Sequence, residues 1–236
     1  GTVNPPELAS LIWLVNESKL FYSVIGGSGT GKTTLLNAFI QLSNPRWKVV
    51  IVQDVAEIKL PERPRVIQFF GESSEELFNR CVTALRYRPD MLIVGEVRGR
   101  EIAALVRAVA SGSGSATTFH ASTTEEFEMV LRSLLPKDLY TMLSLNTALL
   151  VFVSKTRSGA AVRRAVSAVY ERVGTQWREI ELNPEAVYSS AIIKRIGRRL
   201  EISDVEAELE YRTKLLKSTE AGYINVERML KKFYRA

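Results

Sequence analysis

Between residues 26 and 33 the chain reads Gly-Gly-Ser-Gly-Thr-Gly-Lys-Thr, which fits the spacing G-x-x-x-x-G-K-[ST]. A backbone that wraps a polyphosphate must turn through conformations that only glycine enters cheaply, leaving its N–H groups pointed at the anion. Lys32 would bring a point charge to the β- and γ-phosphates and Thr33 a hydroxyl to Mg²⁺. A helix opening at Lys32 would add its positive dipole end. Ser28, Gly29, Thr30, Gly31, Lys32, Thr33 and Thr34 are therefore the expected nucleotide-binding residues, with ATP and Mg²⁺ as the expected cofactors.

Such a cradle needs a carboxylate from a second strand. Asp90-Met91-Leu92-Ile93-Val94-Gly95-Glu96 offers four apolar residues ending in Gly-Glu, and Glu96 stands where the metal-side and water-activating acid belongs. Thr33 and Glu96 are the expected metal ligands. Val49 to Gln53 is a second apolar run, followed by Asp54 and Glu57, two further carboxylates able to hold metal-bound or attacking water; a solvated turn is the plainer reading. His120, the one histidine, closes the run Ser115–Phe119, where a ring nitrogen could meet the γ-phosphate and report hydrolysis.

The elements that must position these residues follow from hydrophobic period. Residues 5–18 read as a helix and Leu20–Ile25 as a strand feeding the glycines. Strand-like runs Val49–Gln53, Val66–Phe70, Met91–Val94 and Ala116–Phe119 alternate with helical segments 32–43, 74–87, 100–110 and 123–134. That alternation predicts an α/β fold with a mostly parallel central sheet. After Pro136, residues 147–154, 161–171 and 175–182 read as consecutive strands with turns at Ser158-Gly159 and Gly174, predicting antiparallel hairpins at the sheet edge. Beyond Asn183-Pro184 the chain becomes helical and charge-rich, with helices near 204–217 and 225–234. This divides the chain into a motor domain, 1–183, and a helical C-terminal appendix, 184–236.

Composition bounds the rest. With 236 residues, 46% of them hydrophobic, the chain can bury a core without staples. Cys81 has no partner cysteine, which excludes an internal disulfide or a Cys-rich zinc site and points to a reducing compartment. No apolar run approaches 18 residues, and the first residues lack the pattern of a signal peptide. The net charge of +6 fits an anionic partner: nucleotide, nucleic acid or a membrane face. Lys194, Arg195, Arg198 and Arg199 form a basic cluster without interleaved aromatics. A nucleic-acid motor, conjugation-related and DNA-stimulated, is thus the weaker alternative.

These residues carry a resemblance to the secretion ATPase superfamily, the hexameric ATPases of type II and type IV secretion, type IV pili and archaeal flagella. The glycine run is similar to its Walker A motif. Gln53-Asp54-Val55-Ala56-Glu57-Ile58 resembles its acidic Asp box, and Arg88-Pro89-Asp90 leading to Gly95-Glu96-Val97-Arg98-Gly99 resembles its Walker B. Ala110 to Ala121 resembles its His box. The resemblance implies a RecA-like P-loop NTPase fold, in particular of the archaeal branch. It implies catalytic roles for Glu96, Asp54, Glu57, His120 and Arg98, the last as a structural or phosphate-facing arginine. It also implies a homo-hexamer in the cytoplasm, peripheral at the inner membrane face through a polytopic platform protein, driving filament assembly or secretion. Gln53 replaces a usual glutamate, and Ser113 stands where a first histidine is expected. The family's N-terminal region has no counterpart here, so slow turnover is expected of this chain alone. Arg63, Arg65, Arg86 and Arg88 are the candidates for an arginine that stabilises γ-phosphate charge.

Overall fold

A computed structural model describes residues 3–61, 63–158 and 161–235. Strands alternate with helices through the first five strands, except that β3 follows β2 with no helix between them: α1 (Pro6–Glu17), β1 (Phe21–Ile25), α2 (Lys32–Gln41), β2 (Val49–Gln53), β3 (Val66–Phe70), α3 (Ser74–Arg86), β4 (Met91–Val97), α4 (Ile102–Ala110), β5 (Gly114–Phe119) and α5 (Thr124–Leu134). Then follow α6 (Lys137–Asn146), β6 (Thr147–Ser158), β7 (Ala161–Val173), β8 (Gln176–Ile180), α7 (Pro184–Tyr188), α8 (Ala191–Leu200), α9 (Val205–Ser218) and α10 (Tyr223–Phe233).

Among the described residues the eight strands form one sheet in the order β3-β2-β4-β5-β1-β6-β7-β8. The six strands from β3 to β6 are parallel; β7 runs against them, and β8, antiparallel to β7, turns back to their direction. The set 147–182 is therefore not wholly an edge addition. Its first strand pairs in parallel with β1, because helix α6, which the sequence pattern does not announce, carries the chain back across the sheet. The turn expected at Ser158-Gly159 falls on residue 159, outside the described residues.

Burial explains the strand composition. Every residue of β1 and β2 is buried, as are Met91 to Val94 of β4, because helices cover both faces of a parallel sheet. Two capping boxes start helices with matching chemistry. Ser73 and Thr123 accept from the backbone N–H groups of Glu76 and Glu126, whose carboxylates reach back to the N–H groups of Glu72 and Ser122.

The helices after residue 183 are not set apart in packing. Val187, Ile192, Ile196, Val205 and Leu209 belong to the same apolar cluster as Leu11 of α1 and Val151 of β6. Leu230 of α10 closes over Trp13 of α1.

Candidate functional site

Parallel strands bring their carboxyl ends to one edge, and the chemistry-bearing residues collect there. The loop after β1 is fixed at its start by Gly26, whose N–H donates to the Phe119 carbonyl (3.3 Å). A Cβ at Gly26 would lie 2.5 Å from the Val153 carbonyl oxygen of β6, so only glycine lets the loop lie against that strand. Gly29 (φ +68°) and Gly31 (φ +93°) occupy the left-handed region, and Gly31 sets the N-terminus of α2. Thr30 Oγ1 and Lys32 Nζ both donate to the Gly27 carbonyl, at 2.9 and 3.1 Å, which closes the loop on itself. Thr30 and Lys32 are buried, Thr33 is half-buried, and Ser28, Gly29 and Thr34 are exposed.

Glu96 faces this loop from β4, with β5 between the two parent strands. The strand does not end before Glu96 as its apolar run suggested; it continues to Val97 through a register shift between Val94 and Glu96. Gly95 makes that shift fit, since a Cβ there would stand 3.0 Å from Gln53 Cβ, and its carbonyl accepts from Thr118 Oγ1 at 2.7 Å. Half-buried Glu96 lies 3.9 Å from Lys32 Nζ through Oε1 and accepts from Arg98 Nε at 2.6 Å through Oε2. Arg98 also pairs with Asp54 at 3.5 Å. The hydrogen bond and charge of Glu96, helped by Asp54 and Glu101, hold the Arg98 guanidinium above its usual pKa. In this state the arginine joins two of the expected carboxylates.

A cavity of about 1120 Å³ spans the loop residues 29–34, Gln53 to Lys59, Glu96, Arg98 and Arg164. Asp54 and Glu57 are both at its wall and exposed. Gln53 has a bracing role in the fold. It is buried, its Oε1 accepts from the Ile58 N–H (2.9 Å), and its Nε2 donates to the Ile58 carbonyl (3.3 Å) and to Gln68 (3.2 Å), bracing the loop that carries Asp54 and Glu57. His120 follows β5 at the same edge but is exposed and outside the residues that line the cavity. Ser113 sits at the far end of β5, donating to the Pro89 carbonyl at 2.7 Å.

The four arginines read as charge-stabilising candidates lie elsewhere within this chain. Arg63 is buried, paired with Glu227 of α10 (3.1 Å) and bonded to Ser43, so its fork is already engaged. Arg65, Arg86 and Arg88 flank the amino ends of β3 and β4, the edge opposite the cradle.

Three residues at the site escaped the sequence reading. Asn37 of α2 bonds the Glu57 carbonyl and the Lys59 N–H, both at 2.9 Å. Buried Glu101 accepts from the N–H groups of Arg98 (2.5 Å) and Gly99 (2.7 Å), shaping the turn after β4. Arg164 of β7 donates from Nε to the Gly29 carbonyl at 3.1 Å. None carries a motif signal, because each depends on a contact between distant segments. Cys81 is not a reactive group: burial, aided by Glu101, pushes its thiol up to about 12.

The family described as Type II/IV secretion system protein matches residues 2–232. The chain belongs to that family. Among curated members and relatives, an uncharacterized protein of Methanocaldococcus jannaschii is 40% identical over 53% of this chain and 48% of its own length. A putative conjugal transfer protein of Mycobacterium tuberculosis is 38% identical over 50% of this chain and 35% of its own. The type IV secretion system protein VirB11 of Brucella suis is 34% identical over 43% of this chain and 31% of its own. The chain thus spans half or less of the length of these relatives. Its fold is similar to the crystal structure of the Brucella suis VirB11 ATPase (TM-score 0.59, 24% identity, 72% of this chain and 57% of that one). It is also similar to the pilus retraction motor PilT with bound ADP (TM-score 0.54, 18% identity, 86% and 59%). Membership accounts for the α/β fold with its mostly parallel sheet.

Proposed function

We propose that this chain is the motor part of a Mg²⁺-dependent ATPase that assembles as a homo-hexamer and powers secretion or the assembly of a pilus or flagellum-like filament. The observation that carries the reading is the meeting of Lys32, seated in a glycine loop at a helix N-terminus, with Glu96 of β4 across the cavity, 3.9 Å apart. The loop amides and Lys32 would spread the charge that develops on the γ-phosphoryl group. Glu96, once released from Arg98, would orient the attacking water, with Asp54 and Glu57 supplying further acceptors from the loop braced by Gln53. His120, at the same edge, would sense loss of the γ-phosphate.

The donor set suits the metal. Among the described residues no group of three histidine, cysteine or acidic side chains forms a closed cage. Mg²⁺ characteristically takes only one or two protein oxygens and fills its octahedron with phosphates and water. Thr33 and Glu96 would hold it, and when bound it would neutralise phosphate charge. Membrane attachment would run through a platform protein. Among the described residues no helix is long and apolar enough to span a bilayer.

Lys32→Ala is expected to abolish ATP binding, measured by titration calorimetry. Glu96→Gln should still bind ATP but lose hydrolysis by about 10²-fold or more. A Lys32→Ala protein that binds ATP as tightly as the parent would overturn the assignment. Mass measurement with a non-hydrolysable ATP analogue tests the ring, and a monomer under saturating analogue would remove the hexamer from the proposal.

A further inference from the structure

The hairpin β6–β7 does more than extend the sheet: it grips the phosphate loop from the side opposite β4. Val153 of β6 presses on Gly26, and Arg164 of β7 crosses the loop two glycines further along. The aliphatic stem of Arg164 packs over Gly31, where an added Cβ would stand 3.2 Å from its Cδ, and its Nε binds the Gly29 carbonyl. The residue is exposed and forms part of the cavity wall beside Lys32 and Thr33.

Its charge is the notable part. Arg98, the other arginine of the cavity, is matched by Glu96 and Asp54. Among the described residues no carboxylate pairs with Arg164, and the only hydrogen bond its guanidinium makes is to one backbone oxygen, through one of its five N–H donors. An arginine with no counter-ion among the described residues, steadied by its own stem against an anion-binding loop, has its planar fork pre-organised for phosphate oxygens.

We propose that Arg164 is a second phosphate-binding cation of the nucleotide site, engaging the polyphosphate chain from β7 while Lys32 engages it from the loop. The proposal rests on the nucleotide-binding reading of the site. By bonding both the loop and the ligand, Arg164 would also tie nucleotide occupancy to the position of the β6–β7 hairpin.

Titration calorimetry with ATPγS and with inorganic tripolyphosphate, across a series of salt concentrations, separates the outcomes. Arg164→Gln keeps a donor for the Gly29 carbonyl and removes the charge. It is expected to weaken both ligands by roughly tenfold, the size of one charge-assisted contact, and to flatten the salt dependence of log Kd. Arg164→Lys should recover most of that slope. Thermal melts check that both variants fold. Weaker binding with an unchanged salt slope would mean that Arg164 only shapes the loop, and would overturn the proposal. So would parental affinity in Arg164→Gln while Lys32→Ala loses binding. Failure of the parent protein to bind either ligand would instead sink the underlying reading of the site.

Discussion

Gln53 shows how a side chain can have a part in the fold that its place in a motif does not reveal. From the sequence it is a carboxylate lost from an acidic box; in the fold it is a buried bracket whose amide gives and accepts at Ile58. A carboxylate cannot copy this, because it has no proton to give to the Ile58 carbonyl unless it stays neutral. Gln53→Glu is therefore expected to destabilise the fold by about 1–3 kcal/mol at neutral pH, the cost of an unmet buried polar group. The sign follows from linkage: a buried acid that prefers its proton raises its folded pKa above the unfolded value. Part of the loss should be regained as pH falls toward 5. Urea melts at pH 5 and 8 check this, and equal stability loss at both would contradict the bracket. Lys32, Glu96 and the loop glycines were legible because one chemistry demands those residue types at fixed spacing. Gln53, Asn37, Glu101 and Arg164 were not, since their partners lie on segments that only folding brings together.

At the scale of elements, strands buried on both faces could be read as continuous apolar runs and helices by one clear buried face, and the crossover α6 could not. Its buried residues, Tyr140 and Leu143, are too few to print a period, and without it β6 looks like a hairpin strand and not a parallel neighbour of β1. That neighbour matters to the site, because β6 is the strand against which the glycine loop packs. The loop's glycines should consequently differ in worth. Gly26→Ala would drive a Cβ into the Val153 carbonyl at 2.5 Å and Thr30 Oγ1 at 2.9 Å, whereas Gly29→Ala meets open space and faces only its φ of +68°. The first is expected to cost about 1–3 kcal/mol as overpacking against backbone, the second about 1 kcal/mol as left-handed strain. Chemical denaturation of both variants reads the order, and a larger loss at Gly29 would refute the packing argument.

For the whole molecule, the change of composition at Asn183-Pro184 suggested an appendix, and the packing tells of a shared interior. Helix α9 lies along α1, joined by Thr213 to Ser10 (2.8 Å) and by Lys217 to Glu7 (2.9 Å), and Arg212 meets Glu17 and stacks over Trp13. On the other side Glu227 of α10 engages Arg63, on the stretch that leads from the Asp54–Glu57 loop to β3. A charge-rich surface disguised this in the sequence, because residues facing inward, such as Leu209 and Leu230, are spaced among many that face water. Since Leu209 is fully buried in the cluster that also holds the sheet residues Val49, Ile93 and Val151, the chain should unfold as one cooperative unit. Leu209→Ala is expected to remove about 2–5 kcal/mol from that single transition. In calorimetry the entire peak should move down together, and nucleotide protection of the melt should shift with it. A Leu209→Ala profile that splits into an early helical transition and an unchanged later one would show that the C-terminal helices fold as a separate body, and that the glycine loop owes them no stability.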